Sequence, residues 1–135
     1  DRASFQNFSF NFDSAAGIIY TVDVTKPKGE KITIISMADG TPFSMDKMYK
    51  VALNSYRGNG GGELLTKGAG IPQDELKGRI LFSTDKDLRY YLMQYIEKKG
   101  VIDPHALGQW KFIPEEWVEP AAKRDYEYLF GKVEK

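Results

Sequence analysis

Residues 49–65 read YKVALNSYRGNGGGELL, and the stretch changes character halfway. Tyr49, Val51 and Leu53 alternate with Lys50, Ala52 and Asn54, the two-residue period of a half-buried sheet, which predicts a strand. The strand then meets Gly58, Asn59, Gly60, Gly61 and Gly62, residues that take positive φ at little cost, so the backbone after Tyr56 can fold tightly and approach another molecule closely. Between strand and loop sit Asn54, Tyr56 and Arg57: an amide, a flat aromatic face and a fork of donors. Together they suit a planar, hydrogen-bonding ligand such as a nucleobase, because stacking needs a π face and glycines remove the side chains that would block approach. The competing reading is a plain loop, the usual meaning of a Gly-rich segment after a strand.

Upstream, Gly17 to Val24 predicts a strand with Ile18, Tyr20, Val22 and Val24 on one face. Pro27, which lacks an N–H donor, and Gly29 break it, and Lys31 to Met37 resumes as a second strand, so a hairpin is the economical solution. Asp39-Gly40 makes the next turn. With Tyr49–Asn54 as third strand, the three run up, down and up, placing the glycine loop at one end of a meander. Before them, Phe8, Phe10 and Phe12 alternate, which permits a short strand whose rings pack on the sheet; the alternative puts one of them at a pocket wall.

Downstream, Glu63 to Lys67 suits a short helix ended by Gly68 and Gly70, and a second short helix fits Gln73 to Ile80. Thr84 is placed to cap a longer helix, with Asp87 in its first turn and Leu88, Tyr91, Leu92, Tyr95 and Ile96 on a stripe facing the core; Gly100 ends it. Trp110 to Ile113 reads as a closing strand, and Pro114 and Pro120 bracket an irregular piece holding Trp117. From Pro120, Ala122, Tyr126, Leu129, Phe130 and Val133 recur at helical spacing. This tail is expected to pack on the domain or, alternatively, to dock a partner.

Charge and composition bound the chemistry. Binding a nucleic-acid polymer favours a basic excess, and 19 Lys+Arg against 19 Asp+Glu provide none, though one nucleotide can still be held locally. A length of 135 residues suits one domain, and the absence of cysteine excludes disulfides and thiol chemistry. No apolar run approaches the length of a membrane span, and no signal-peptide pattern opens the chain, which reads as soluble. Since it opens at Asp1 without methionine, it reads as a mature or truncated piece of something longer.

A two-metal phosphatase needs several His, Asp and Asn ligands around paired ions, and this chain has one histidine, His105, which reads as an ordinary surface residue. Glu115-Glu116 reads as a solvated charge run. Nor is the glycine loop a phosphate loop, because the G-K-[ST] ending is missing. These residues give recognition without bond-breaking: no catalytic residue and no metal ligand.

The segment N-S-Y-R-G-N-G-G-G from Asn54 to Gly62 resembles the N-[FY]-x-x-x-G-G-x-G motif in the C-terminal domain of 5'-nucleotidases, in the branch with bacterial 2',3'-cyclic-nucleotide phosphodiesterase/3'-nucleotidases. Asn11 to Pro27, NFDSAAGIIYTVDVTKP, resembles that domain's small-Gly-hydrophobic strand with its Lys-Pro turn. The likeness covers mainly residues 8–113 and leaves the helical tail 114–135 unmatched. It implies an N-terminally truncated, single α+β domain with mixed or antiparallel sheets and helices on the outer faces. It also implies that Tyr56 stacks on the base, that Asn54 shapes the strand end, and that Gly60 and Gly61 turn the backbone beneath the sugar. Arg57 fits the tyrosine-arginine pairing of the cyclic-phosphodiesterase branch; its bland reading is a surface salt bridge. Where plain 5'-nucleotidases have an aspartate for the ribose hydroxyls, this chain has Gly62, with Glu63 one position along to supply a carboxylate.

The resemblance further implies a nucleotide or nucleoside partner, and a metallophosphatase catalytic domain that holds the divalent metals, none being expected in this chain. It implies a periplasmic or secreted location, and inactivity of this chain alone. The second aromatic of the family's base clamp lies upstream, so this chain alone is expected to bind weakly or undetectably. An uncovered sheet edge invites pairing with a second copy, making a homodimer one expectation. The alternative function is a non-catalytic envelope binding or interaction module that has kept the fold.

Overall fold

The computed structural model describes residues 12–131. Phe8 and Phe10 of the expected N-terminal strand lie outside them. The chain divides into two compact units, one formed by residues 1–47 with 106–135 and the other by Met48–His105.

The first unit is built around β1 (Ile18–Asp23). It pairs antiparallel with β2 (Ile32–Met37) and parallel with β3 (Trp110–Ile113), giving a mixed sheet of order β2-β1-β3. The β-branched run of β1 and the breakers Pro27 and Gly29 produce the expected hairpin, with Gly29 at φ 94° where the chain reverses. Register shifts between Ile19 and Tyr20, since Ile19 faces Ser36 while Tyr20 faces Ile34, and Ile35 is left over as a bulge, exposed. One face of the sheet therefore carries Tyr20, Val22, Ile34, Trp110 and Phe112 in neighbouring positions. Tyr20, 6% exposed, stacks on Trp110 at 6.0 Å between ring centroids, and its hydroxyl accepts from the Ala15 amide at 3.1 Å. Phe12 lies 5.8 Å from Trp110 and 6.4 Å from Phe112, so of the alternating phenylalanines the described one packs on the sheet.

The two turns flanking β2 use one device twice. Asp23 Oδ1 accepts from the Thr25 amide at 2.9 Å and its hydroxyl at 2.6 Å; Asp39 Oδ1 accepts from the Thr41 amide at 2.9 Å and its hydroxyl at 2.6 Å. Such Asx turns fix the chain where it leaves the sheet.

The third strand is not where alternation placed it. Residues 48–54 join no ladder among the described residues, and Val51 is 73% exposed; the neighbour of β1 on its other side is β3. Alternation reports which side chains share a face, but a strand also needs a partner edge, and the parallel β3 supplies it for β1. The meander is thus corrected to a hairpin plus a returning strand. After β3, α3 (Glu115–Phe130) begins at once from Pro114 and runs through Pro120, which corrects the irregular piece around Trp117. Glu115 and Glu116 form its first turn, where carboxylates meet the positive end of the helix dipole, and Lys111 pairs with Glu115, holding that carboxyl below its usual range. Val118, Ala121 and Leu129 are half-buried, and the rest of α3 is exposed, so the tail packs less than its periodicity suggested.

In the second unit, α2 (Leu88–Lys99) is capped by Asp87, whose Oδ1 accepts from the Tyr90 amide at 3.0 Å. Thr84 instead donates to the Lys86 carbonyl, a correction of one turn in the cap. Gly100 at φ 76° closes the helix as expected. Its stripe is not core-facing: Leu88, Tyr91, Leu92, Tyr95 and Ile96 are all at least 40% exposed.

Two outcomes follow from the first unit. Tyr20→Ala removes its buried ring and should cost about 3 kcal/mol in urea denaturation. Asp23 and Asp39 have carboxyl pKa values lowered by the Thr25 and Thr41 hydroxyl and amide bonds. Their stabilisation is therefore present above the unfolded carboxylate range and fades as pH falls below about 4 toward the lower folded values. An Asp23→Asn, Asp39→Asn double variant should show a flatter loss of stability between pH 5 and 2.5 than the parent chain; parallel curves would refute the role of these turns.

Candidate ligand site on the glycine loop

The site is built from Asn54 through the glycines. Asn54 caps α1 (Ser55–Gly58), its Oδ1 accepting from the Arg57 amide at 2.8 Å. Its side-chain oxygen is thereby committed to the turn that it opens. That single turn puts Tyr56 outward, 53% exposed, and Arg57 inward, 4% exposed. The surface salt bridge is thereby corrected: Arg57 is the buried charged residue of the loop, and its Nη1 donates to the Gly61 carbonyl at 3.2 Å. Its Cζ stands 5.3 Å from the centroid of the Tyr56 ring, within cation–π reach.

Glycine is required at two places. A Cβ on Gly61 would stand 2.5 Å from Tyr56 Cε2 and 2.6 Å from the Tyr56 carbonyl oxygen, so the ring lies directly on bare backbone. A Cβ on Gly60, at φ 92°, would meet Gln73 Oε1 at 2.4 Å. Gly62 at φ 67° and Glu63 at φ 62° follow in the left-handed region. For Glu63 this is a strained conformation, because its Cβ crowds the neighbouring carbonyl. Its carboxylate stays exposed and pairs with Lys67 at 2.6 Å. The helix expected over Glu63–Lys67 is a tight turn, Gly61–Glu63, followed by a wide one, Leu64–Gly68, closed by Ala69 N–H to the Leu64 carbonyl.

Tyr56, Arg57, Gly60, Gly61, Gly62 and Glu63 are thus brought together with Asn54 in one continuous loop. Sequence reading missed what braces it: Gln73 donates to the Asn59 carbonyl at 3.0 Å, and Leu76, 5% exposed, sits beside Gly60. Both come from a turn region with no motif of its own, and only the amide at position 73 offered a hint. His105 is exposed, its Nδ1 3.0 Å from the Asp103 carbonyl oxygen. Among the described residues no three His, Cys, Asp or Glu side chains gather to hold a metal ion, and no helix is long and apolar enough to cross a membrane.

The architecture is an α+β domain, a small mixed sheet plus helices, that presents an aromatic ring on a glycine loop. Residues 3–67, which span β1, β2 and that loop, match the family described as 5'-nucleotidase, C-terminal domain, and this stretch of the chain belongs to it. Over 121 residues the chain is 31% identical to the trifunctional nucleotide phosphoesterase protein YfkN of Bacillus subtilis (strain 168), covering 81% of this chain and 8% of that protein. It is 26% identical over 121 residues to a 2',3'-cyclic-nucleotide 2'-phosphodiesterase/3'-nucleotidase of Haemophilus influenzae, covering 78% of this chain and 17% of that protein. The chain therefore spans less than a fifth of the length of either relative. No solved structure gives a significant match.

Substitutions in the loop should separate by cause. Gly60→Ala combines positive φ with a clash and should destabilise the chain by about 1–3 kcal/mol, whereas Gly58→Ala, with nothing within 4 Å of the new Cβ, should be close to neutral. Glu63→Gly should relieve the left-handed strain and raise stability by about 1 kcal/mol. Equal effects at positions 58 and 60 in denaturant titrations would contradict the geometry.

Proposed function

We propose that the chain is the nucleotide- or nucleoside-recognising domain of a 5'-nucleotidase or cyclic-nucleotide phosphodiesterase, a periplasmic or secreted phosphoester hydrolase of nucleotide catabolism. It presents the base, while a separate metallophosphatase domain supplies the divalent metals and cleaves the phosphoester. The observation that carries this reading is the half-exposed ring of Tyr56 laid on the bare backbone of Gly61. A base can stack on such a ring while the sugar approaches peptide that carries no side chain. Membership of the family and the printed activities of the two relatives support it.

Glu63, one position beyond the glycine that replaces the family's aspartate, is the carboxylate assigned to the ribose hydroxyls. Gly62 also favours a second reading, an envelope binding or interaction module that retains the fold without the ligand. Finding no metallophosphatase sequence in the parent reading frame or a neighbouring gene would decide for that module.

The direct test is adenosine binding by the parent polypeptide with and without Tyr56→Ala. One base–aromatic contact is worth about 1–3 kcal/mol, so the variant should bind roughly 10- to 100-fold more weakly, and Tyr56→Phe should bind nearly as the parent does. For the 135-residue chain alone, that single contact predicts weak binding or none by calorimetry. Indifference to Tyr56→Ala would remove the stacking role.

A further inference from the structure

Arg57 is a charged side chain that the loop does not show to solvent. At 4% exposure its guanidinium needs partners inside the protein, since a buried charge without them is strongly disfavoured. Among the described residues no buried side-chain nitrogen or oxygen lacks a hydrogen-bond partner, so the buried donors of Arg57 are already engaged. One of them holds the Gly61 carbonyl at 3.2 Å, and the guanidinium carbon lies 5.3 Å from the Tyr56 ring centre. The same Gly61 is the residue on which that ring rests. Meanwhile the Arg57 amide is tied to Asn54, which fixes where its side chain starts.

We propose that Arg57 is a positioning residue: it clamps Gly61 beneath Tyr56 and so sets the plane of the stacking ring, and it makes no contact of its own with a base or phosphate. This rests on the stacking reading of Tyr56 above and adds to it the part that holds the platform. A planar fork that donates to a carbonyl while lying near a ring is a geometry lysine cannot reproduce, because its ammonium is a point charge on a flexible stem.

The test compares Arg57→Lys, Tyr56→Ala and the double variant, by NMR in the 135-residue chain and by adenosine titration in the parent polypeptide. In the unliganded parent chain the Gly61 α-protons should be displaced upfield by the ring above them. In Arg57→Lys they should move back toward ordinary glycine values. Adenosine binding should weaken about tenfold, the scale of one stacking contact, and the double variant should bind no more weakly than Tyr56→Ala alone.

An unchanged Gly61 resonance in Arg57→Lys overturns the proposal, and so do additive losses in the double variant, which would mean that Arg57 touches the ligand itself. If Gly61 moves in Arg57→Lys but adenosine binding ignores Tyr56→Ala, the positioning role stands and the nucleotide reading fails. Should Arg57→Lys not fold, rotation about the Cζ–Nε bond of Arg57 in the parent chain decides: hindered rotation supports the clamp, and free rotation refutes it.

Discussion

A side chain at position 61 would stand 2.5 Å from the ring of Tyr56, so the loop can close only with bare peptide there. The rest of the second unit's loop follows from that contact. With Gly61 under the ring, its carbonyl faces the interior and is met by Arg57, and the chain leaves through the left-handed residues Gly62 and Glu63. Before it, Gly60 is left-handed too, and Gln73 occupies the space where its Cβ would lie. Steric exclusion, more than attraction, dictates where glycine stands. The attractive part is the buried guanidinium, a charged donor whose hydrogen bonds are stronger than neutral ones and are costly to leave unmade.

The sheet unit solves its problem differently. β1 is central and has two edges to satisfy, one by the antiparallel hairpin and the other by a parallel strand that returns from far along the sequence. Parallel pairing needs a long crossover, and here that crossover contains the whole second unit, Met48–His105. The glycine loop thus sits within an insertion between two strands that share β1. Tyr20 and Trp110 stack across the β1–β3 pair and so join strands far apart in the sequence.

What the sequence made legible follows the range over which each signal acts. Strands β1 and β2, the turn at Asp39-Gly40, the helix end at Gly100 and the strand from Trp110 were readable because a breaker or a short periodic run decides them locally. The segment Tyr49–Asn54 joins no ladder among the described residues, because alternation sets a face but does not choose a pairing edge. Pro120 was misread as a helix start because a proline near a helix N-terminus loses little; here α3 had already begun at Glu115, so the proline falls just inside it. In the loop, the residue types and their order were visible. The burial of Arg57 was not, since residue type does not say which way a side chain turns, nor was the bracing by Gln73 and Leu76, which depends on contacts between residues well separated along the chain.

Position 62 shows how backbone geometry limits recognition. It is left-handed, at φ 67°, a conformation in which an aspartate is tolerated only at some cost and a glycine at none. The chain has glycine there and places its carboxylate at Glu63, whose φ of 62° is also left-handed. The strain of a left-handed side chain is therefore carried at position 63. A residue held in that region persists where the surrounding structure over-determines it, and such outliers gather at ligand clamps. Glutamate also carries one more methylene than aspartate, so its carboxylate reaches further from a backbone that starts one position later. On the proposed nucleotide reading, Glu63 offers its carboxylate to the sugar from that strained backbone, and positions 62 and 63 have to be exchanged together to learn whether a carboxylate reaches a sugar there.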